Sequence, residues 1–323
     1  MSIRVLAIDG GGVRAHLAAV LLAELERRAE RPADDLFDLV VGTSTGGLIA
    51  MGVAVGIPAS ELVQFFPRLG ERMFGRPAGV AGLEQRLEQS SKALGALFGA
   101  AGAPRHRPEG LEAVLRDVFG AVRLSQVTTP LAVTAFDRAA SAPVVLSSRD
   151  AAADLQFDLP LVDVGRATTA AGPMFAPLVT QWGGAEHSFA DGGAWANNPA
   201  AVALAEAVAL AGGDVTGLVM VSLGCGAAPG TTMAALNRSW LGEAQDPATM
   251  ASTVWTGEVL ARRALDPSRF HRFQVVDRRV AGAMDDSSPA RLAALEASAA
   301  DHIAGIGAEL DAAVAQLAPS DAT

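Results

Sequence analysis

The run Gly42-Thr43-Ser44-Thr45-Gly46 constrains this chain more tightly than any other feature. It fits the Gly-x-Ser-x-Gly pattern, in which a serine sits on a sharp strand-to-helix turn with its hydroxyl exposed. Both flanks suit such a turn. Leu36-Phe37-Asp38-Leu39-Val40-Val41 predicts a short apolar strand, and Leu48-Ile49-Ala50-Met51 with Val53 and Val55 predicts a buried helix. Gly42 and Gly46 lack a Cβ, so strand and helix can close around a strained serine. The pattern alone is common by chance. Lodged between a strand and a helix, it points to Ser44 as a nucleophile.

A second part precedes it. Ile3 to Ile8 predicts an N-terminal strand that runs into Asp9-Gly10-Gly11-Gly12-Val13-Arg14, and a helix follows from about His16 to Glu30. Consecutive glycines before a helix can turn their N–H groups toward one anion. In acyl transfer that anion is the oxyanion of a tetrahedral intermediate. The alternative is a nucleotide loop, since Gly10, Gly12 and Ala15 fit a loose G-x-G-x-x-G/A pattern. A dinucleotide site calls for an acidic residue at the end of the second strand. That strand ends instead in Gly42-Thr43-Ser44.

The third part is Phe189-Ala190-Asp191-Gly192-Gly193, followed by Asn197-Asn198-Pro199. Read alone, Asp191 is either a proton acceptor or an ordinary turn aspartate capping the next helix.

Taken in order, these parts make the chain similar to the patatin-like phospholipases. The resemblance rests on Asp9-Gly10-Gly11-Gly12-Val13-Arg14 (that family's oxyanion loop), Gly42-Thr43-Ser44-Thr45-Gly46-Gly47 (its nucleophile elbow) and Asp191-Gly192-Gly193 (its catalytic aspartate). Secondary matches are Glu109-Gly110-Leu111-Glu112, Arg123-Leu124-Ser125, Arg166-Ala167-Thr168-Thr169-Ala170-Ala171 and Val221-Ser222-Leu223-Gly224, so the similarity covers about residues 3–280. It implies a catalytic pair of Ser44 and Asp191, with an oxyanion hole drawn from Gly10, Gly11, Gly12, Arg14 and Thr45. It also implies hydrolysis of phospholipid or related acyl esters through a covalent acyl-enzyme, with no calcium, other metal or cofactor. Bacterial relatives that stay silent until a small nucleotide or partner protein engages them supply an alternative, a regulated effector.

The histidines favour a Ser–Asp pair over a triad. A Ser-Asp-His order needs a histidine after the aspartate. His271 lies in the alternating run Arg269-Phe270-His271-Arg272-Phe273-Gln274 and His302 in an Ala-rich helix; His16, His106 and His187 come before Asp191.

Composition narrows the class. A net charge of −10 argues against nucleic acid and against electrostatic capture by anionic lipid. A single cysteine excludes an intrachain disulfide framework and fits a reducing compartment. With Asp9 interrupting the first apolar run, no signal peptide is expected, so the predicted location is cytoplasmic, with peripheral contact to a membrane surface. Leu39 to Ser60 carries no charge and is long enough to span a bilayer, and mean hydropathy is +0.29. The polar Thr43-Ser44-Thr45 and Pro58 fit strand, turn and buried helix better.

Strand-like segments at 3–8, 37–41, 131–136, 143–147, 188–190, 217–223 and 271–277 alternate with helices. That alternation predicts a three-layer α/β/α fold with a central, mostly parallel sheet in one domain over 1–323. Residues 57–108, with Phe65, Phe66, Met73, Phe74, Leu94, Leu97 and Phe98, read as a helical cap insertion. They are either amphipathic helices packed on the core or a mobile cover that admits acyl chains. One terminal helix is expected over 287–317.

Overall fold

The computed structural model describes residues 2–74, 104–229 and 247–318. The chain opens with β1 (Ile3–Ile8) and α1 (Ala15–Ala29), then β2 (Leu39–Thr43) and α2 (Ser44–Ala54), which meet at the elbow. α3 (Phe65–Phe74) and α4 (Pro108–Phe119) lead to the hairpin β3 (Leu131–Asp137) and β4 (Ala142–Ser147). α5 (Leu161–Thr168) comes before β5 (Leu178–Trp182), β6 (Ala185–Asp191) and α6 (Ala200–Leu210). β7 (Leu218–Leu223), α7 (Pro247–Ala264), β8 (Phe270–Phe273), α8 (Pro289–Gly305) and α9 (Gly307–Leu317) complete the order.

Eight strands form one sheet in the order β5-β6-β3-β2-β1-β7-β8, with β4 also paired to β3. The run β3-β2-β1-β7-β8 is parallel, and β4, β5 and β6 join antiparallel. Both faces of the parallel part are covered, as such sheets require. Leu6, Ile8, Val40, Val133, Val219 and Val221 face one core, shared with α1, α2, α4 and α5. Val5, Ala7, Leu39, Val41, Ala132, Leu218 and Met220 face the other, shared with α6 and α7. Near-continuous apolar strands serve two cores at once, which is the three-layer α/β/α arrangement the alternation predicts.

Three expectations need correction. The strand foreseen at 188–190 is the end of a hairpin, β5–β6, closed by Gly183 and Gly184 at φ +56° and +80°. A two-residue Gly-Gly loop between extended runs is a hairpin signal; the polar Ala185-Glu186-His187 hides it. The strand foreseen over 271–277 ends at Phe273. The terminal helix is two helices broken at Ile306, which Gly305 and Gly307, both weak helix formers, flank. Of the expected cap, residues 75–103, including Leu94, Leu97 and Phe98, lie outside the described residues. Phe65, Phe66, Met73 and Phe74 are buried in the main core.

The register on β3 places the site. β2 pairs with its first half, Thr43 opposite Thr134, and β6 with its second half, Asp191 opposite Ala135. β4 covers the other edge along nearly the whole strand. β2 and β6 therefore share one edge and point at each other, and their final residues meet at consecutive positions of β3. The approach is so close that a Cβ on Gly192 would lie 2.5 Å from the Thr134 carbonyl. Gly192→Ala is expected to cost about 1–3 kcal/mol in urea unfolding, whereas Gly305→Ala, with nothing within 4 Å, should be neutral or stabilising.

Candidate active site

Ser44 stands at φ +56°, a left-handed conformation that non-glycine residues adopt at a cost. The surroundings enforce it. A Cβ on Gly42 would lie 2.5 Å from the Gly46 carbonyl, and one on Gly46 would lie 2.3 Å from the Asp9 carbonyl. The Ser44 N–H donates to Thr168 Oγ1 at 2.8 Å. Thr43 Oγ1 donates to the Ala196 carbonyl at 2.6 Å, so its 2.7 Å contact with Thr134 Oγ1 must be donated by Thr134. The turn is thereby tied to the segment that follows Asp191.

Asp191 ends β6 and is 2% exposed. The Gly193 N–H donates to its Oδ1 at 2.7 Å, while Oδ2 has no hydrogen-bond partner. Burial pushes its carboxyl up to about 7, against the lowering influence of the Ser44 hydroxyl and the Gly193 amide. Among the described residues Ser44 is the one side chain that acts on Asp191, and the contact falls short of hydrogen-bond geometry. No histidine bonds either residue among the described residues. His16, His106 and His187 pair with Glu296, Asp285 and Asp137.

The five residues expected to form an anion site do not all converge. Gly12 and Thr45 line a cavity with Ser44. Thr45 Oγ1 donates to the Gly12 carbonyl at 3.0 Å, and Gly12 sits at φ +58°, packed on Met284. The Gly10 N–H is taken by the Asn197 carbonyl at 2.9 Å, and Asn197 Nδ2 donates to the Gly10 carbonyl at 3.2 Å. Gly11 packs on Cys225. The Arg14 guanidinium donates to the Gly11 carbonyl at 3.4 Å and turns to Met284 Sδ, so neither it nor Gly10 lines the cavity.

Apart from Thr169, the remaining walls are apolar: Met73, Phe74, Leu111, Met174 and Phe175. The cavity is about 10 Å³, roughly the room of one water. Four residues that hold the site escaped the sequence reading: Thr134, Thr168, Asn197 and Arg272. Thr134 lay in a strand-like segment, and Thr168 and Asn197 in motifs, without a role. Arg272 read as one member of an alternating strand, and only the fold brings it to Asp9, where its Nη1 donates to Oδ1 at 2.8 Å and its Nη2 to Oδ2 at 2.5 Å.

The raised Asp191 carboxyl fixes a sign. With a pKa of about 7 folded against 3.8 unperturbed, the folded chain binds this proton more tightly. The group therefore costs nothing below about pH 4 and destabilises progressively from there to about pH 7. Asp191→Asn should melt above wild type at pH 8 and lose that advantage near pH 4. A pH-independent difference between the two melting temperatures would contradict the burial argument.

A family model described as patatin-like phospholipase matches residues 6–204. Patatin-like protein 1 of Arabidopsis thaliana is 30% identical over 220 residues, covering 62% of this chain and 51% of the relative. A cGAMP-activated phospholipase of Pseudomonas aeruginosa is 35% identical over 203 residues, covering 62% and 56%. The chain spans about half the length of the curated relatives it matches. Among solved structures, VipD from Legionella pneumophila aligns at TM-score 0.47 and 12% identity, over 96% of this chain and 67% of that one. With the family match spanning most of the chain and taking in the glycine loop, the elbow and Asp191, the protein belongs to the patatin-like phospholipase family.

Proposed function

We propose that this protein is a serine lipid acyl hydrolase that cleaves acyl esters of phospholipids or related lipids through Ser44 and Asp191, without calcium. The observation that carries this reading is a strained serine beside a buried carboxylate with one oxygen unpartnered among the described residues, the serine lining a largely apolar cavity. Ser44 Oγ attacks the ester carbonyl and Asp191 Oδ2 takes the hydroxyl proton. The tetrahedral oxyanion is received by the Gly12 and Thr45 amides, with Gly11 alongside. Collapse expels the alcohol, which recovers the proton from Asp191. Asp191 then deprotonates a water that attacks the acyl-enzyme and releases the fatty acid. A carboxyl raised to about 7 is a far better base for a hydroxyl than an unperturbed one, and the step draws on no metal. The apolar walls suit an acyl chain, and substrate reaches them from a membrane surface that the protein contacts peripherally.

Fatty-acid release from mixed phospholipid vesicles in EDTA, read by mass spectrometry, tests the reading. Ser44→Ala should lower release by up to about 10⁶-fold, to the background, and near-normal release by that variant would refute the nucleophile. For wild type, kcat/KM should rise with pH and level off above about pH 7, as Asp191 ionises. A profile already flat from pH 5 upward would remove Asp191 as the base.

One observation favours a regulated form of the same activity. A cavity of about 10 Å³ over Ser44 does not hold an acyl chain. Phe74 and Phe175 line it with ring centroids 6.1 Å apart, and His106, paired with Asp285, packs edge-on to Phe74 and tilted against Phe175. In this reading an activator opens the site; the Pseudomonas relative is a cGAMP-activated phospholipase. Phe175→Ala should then raise basal turnover of a soluble short-chain ester. Unchanged or lower turnover would argue that closure does not limit the reaction.

A further inference from the structure

We propose that Arg272, on the last strand of the sheet and beyond the segment the family model matches, is a positioning residue that sets the glycine loop through Asp9. The proposal rests on the serine hydrolase reading above. Asp9 is the hinge of the loop, because β1 ends at Ile8 and the three glycines follow. Asp9 is 3% exposed, and both carboxylate oxygens are taken by the two guanidinium nitrogens of Arg272. Such a fork fixes the carboxylate plane as well as its charge. The guanidinium is itself braced: Nη1 also donates to Ser222 Oγ at 2.9 Å, and Nε lies 3.6 Å from Glu258. Ser222 is the register partner of both Ala7 and Arg272, so Arg272 reaches across β7 to the end of β1.

The Asp9 backbone has no slack. Its N–H donates to the Leu223 carbonyl at 3.0 Å, and its carbonyl accepts from the Cys225 thiol at 3.0 Å. That same carbonyl abuts Gly46 of the elbow helix. Any shift of Asp9 is passed to the loop on one side and to the elbow on the other. Gly10, Gly11 and Gly12 have no side chains, so partners alone hold their amides in place. Arg272 acts through the geometry of Asp9, which its two guanidinium nitrogens hold at both oxygens. A lysine would keep the charge and lose the fork, which separates positioning from simple neutralisation of a buried carboxylate.

The test uses Arg272→Lys in the full chain, with p-nitrophenyl butyrate turnover and the rate of Ser44 labelling by a fluorophosphonate. Misplacing the loop should lower kcat and the labelling rate by about tenfold or more, with KM within about twofold and the midpoint of the pH profile unmoved. Should that variant fail to fold, Ser222→Ala keeps the ion pair and removes only its brace. It should lower kcat by about two- to fivefold at an unchanged melting temperature. A folded Arg272→Lys variant with wild-type kcat and labelling rate, or a folded Ser222→Ala variant with both unchanged, would overturn the proposal. Turnover or labelling that survives Ser44→Ala would overturn the hydrolase reading itself.

Discussion

Everything at the candidate site depends on two strands that run toward each other along one edge of β3. One arrives parallel and ends at Thr43; the other arrives antiparallel and ends at Asp191. Because they share an edge, their ends cannot pass, and the residues after each must turn out of the sheet at the same place. Ser44 turns into a helix with a strained backbone, and Gly192 turns against the Thr134 carbonyl. The hydroxyl ladder from Thr134 through Thr43 to the Ala196 carbonyl fastens the two turns together. Ser44 and Asp191, 147 positions apart in sequence (191 − 44), thus become neighbours through backbone pairing. Side-chain packing is secondary to that.

Two aspartates show how the fold grades charge. Asp9 and Asp191 are almost equally buried, at 3% and 2% exposure. Asp9 receives a guanidinium at both oxygens and serves as an anchor. Asp191 receives one amide at Oδ1, with the Ser44 hydroxyl short of a hydrogen bond, and Oδ2 has no partner among the described residues. An ionised carboxylate in that setting is expensive, which is why its proton is held up to neutral pH. The expense is tolerable because a chain this size has two large cores to draw on. A site that needs a base near neutrality is where such a cost makes physical sense.

The sequence spoke clearly where one residue type has one geometric use. The elbow glycines at 42 and 46, the apolar runs of β1, β2, β3 and β7, and the Asp-Gly-Gly turn each carry a local constraint that survives without a partner. It was silent where a residue acts only through a distant contact. Arg14 looks like a charge beside an anion site, yet it is turned onto the Gly11 carbonyl. Gly10 looks like a free amide donor, yet Asn197 occupies it. Arg272 looks like any polar residue on an alternating strand. The β5–β6 hairpin was missed for a different reason: its outer positions face solvent, so Ala185-Glu186-His187 carries little apolar signal.

The order of strands in the sheet also has a consequence for how the molecule is made. β1 lies at the centre, with β2 on one side and β7 on the other, and Ile3 pairs with Leu218. On a ribosome, β1 must wait for its second partner until more than 200 further residues exist. At typical synthesis rates that interval is on the order of ten to forty seconds. During it, an apolar strand of six residues has one bare edge, open to pairing with another nascent chain. The carboxylate that follows that strand waits longer still, since its guanidinium partner, Arg272, comes after β7 in the sequence. Assembly of the glycine loop is therefore a late event, and an unfinished chain is expected to carry the elbow long before it carries a working site.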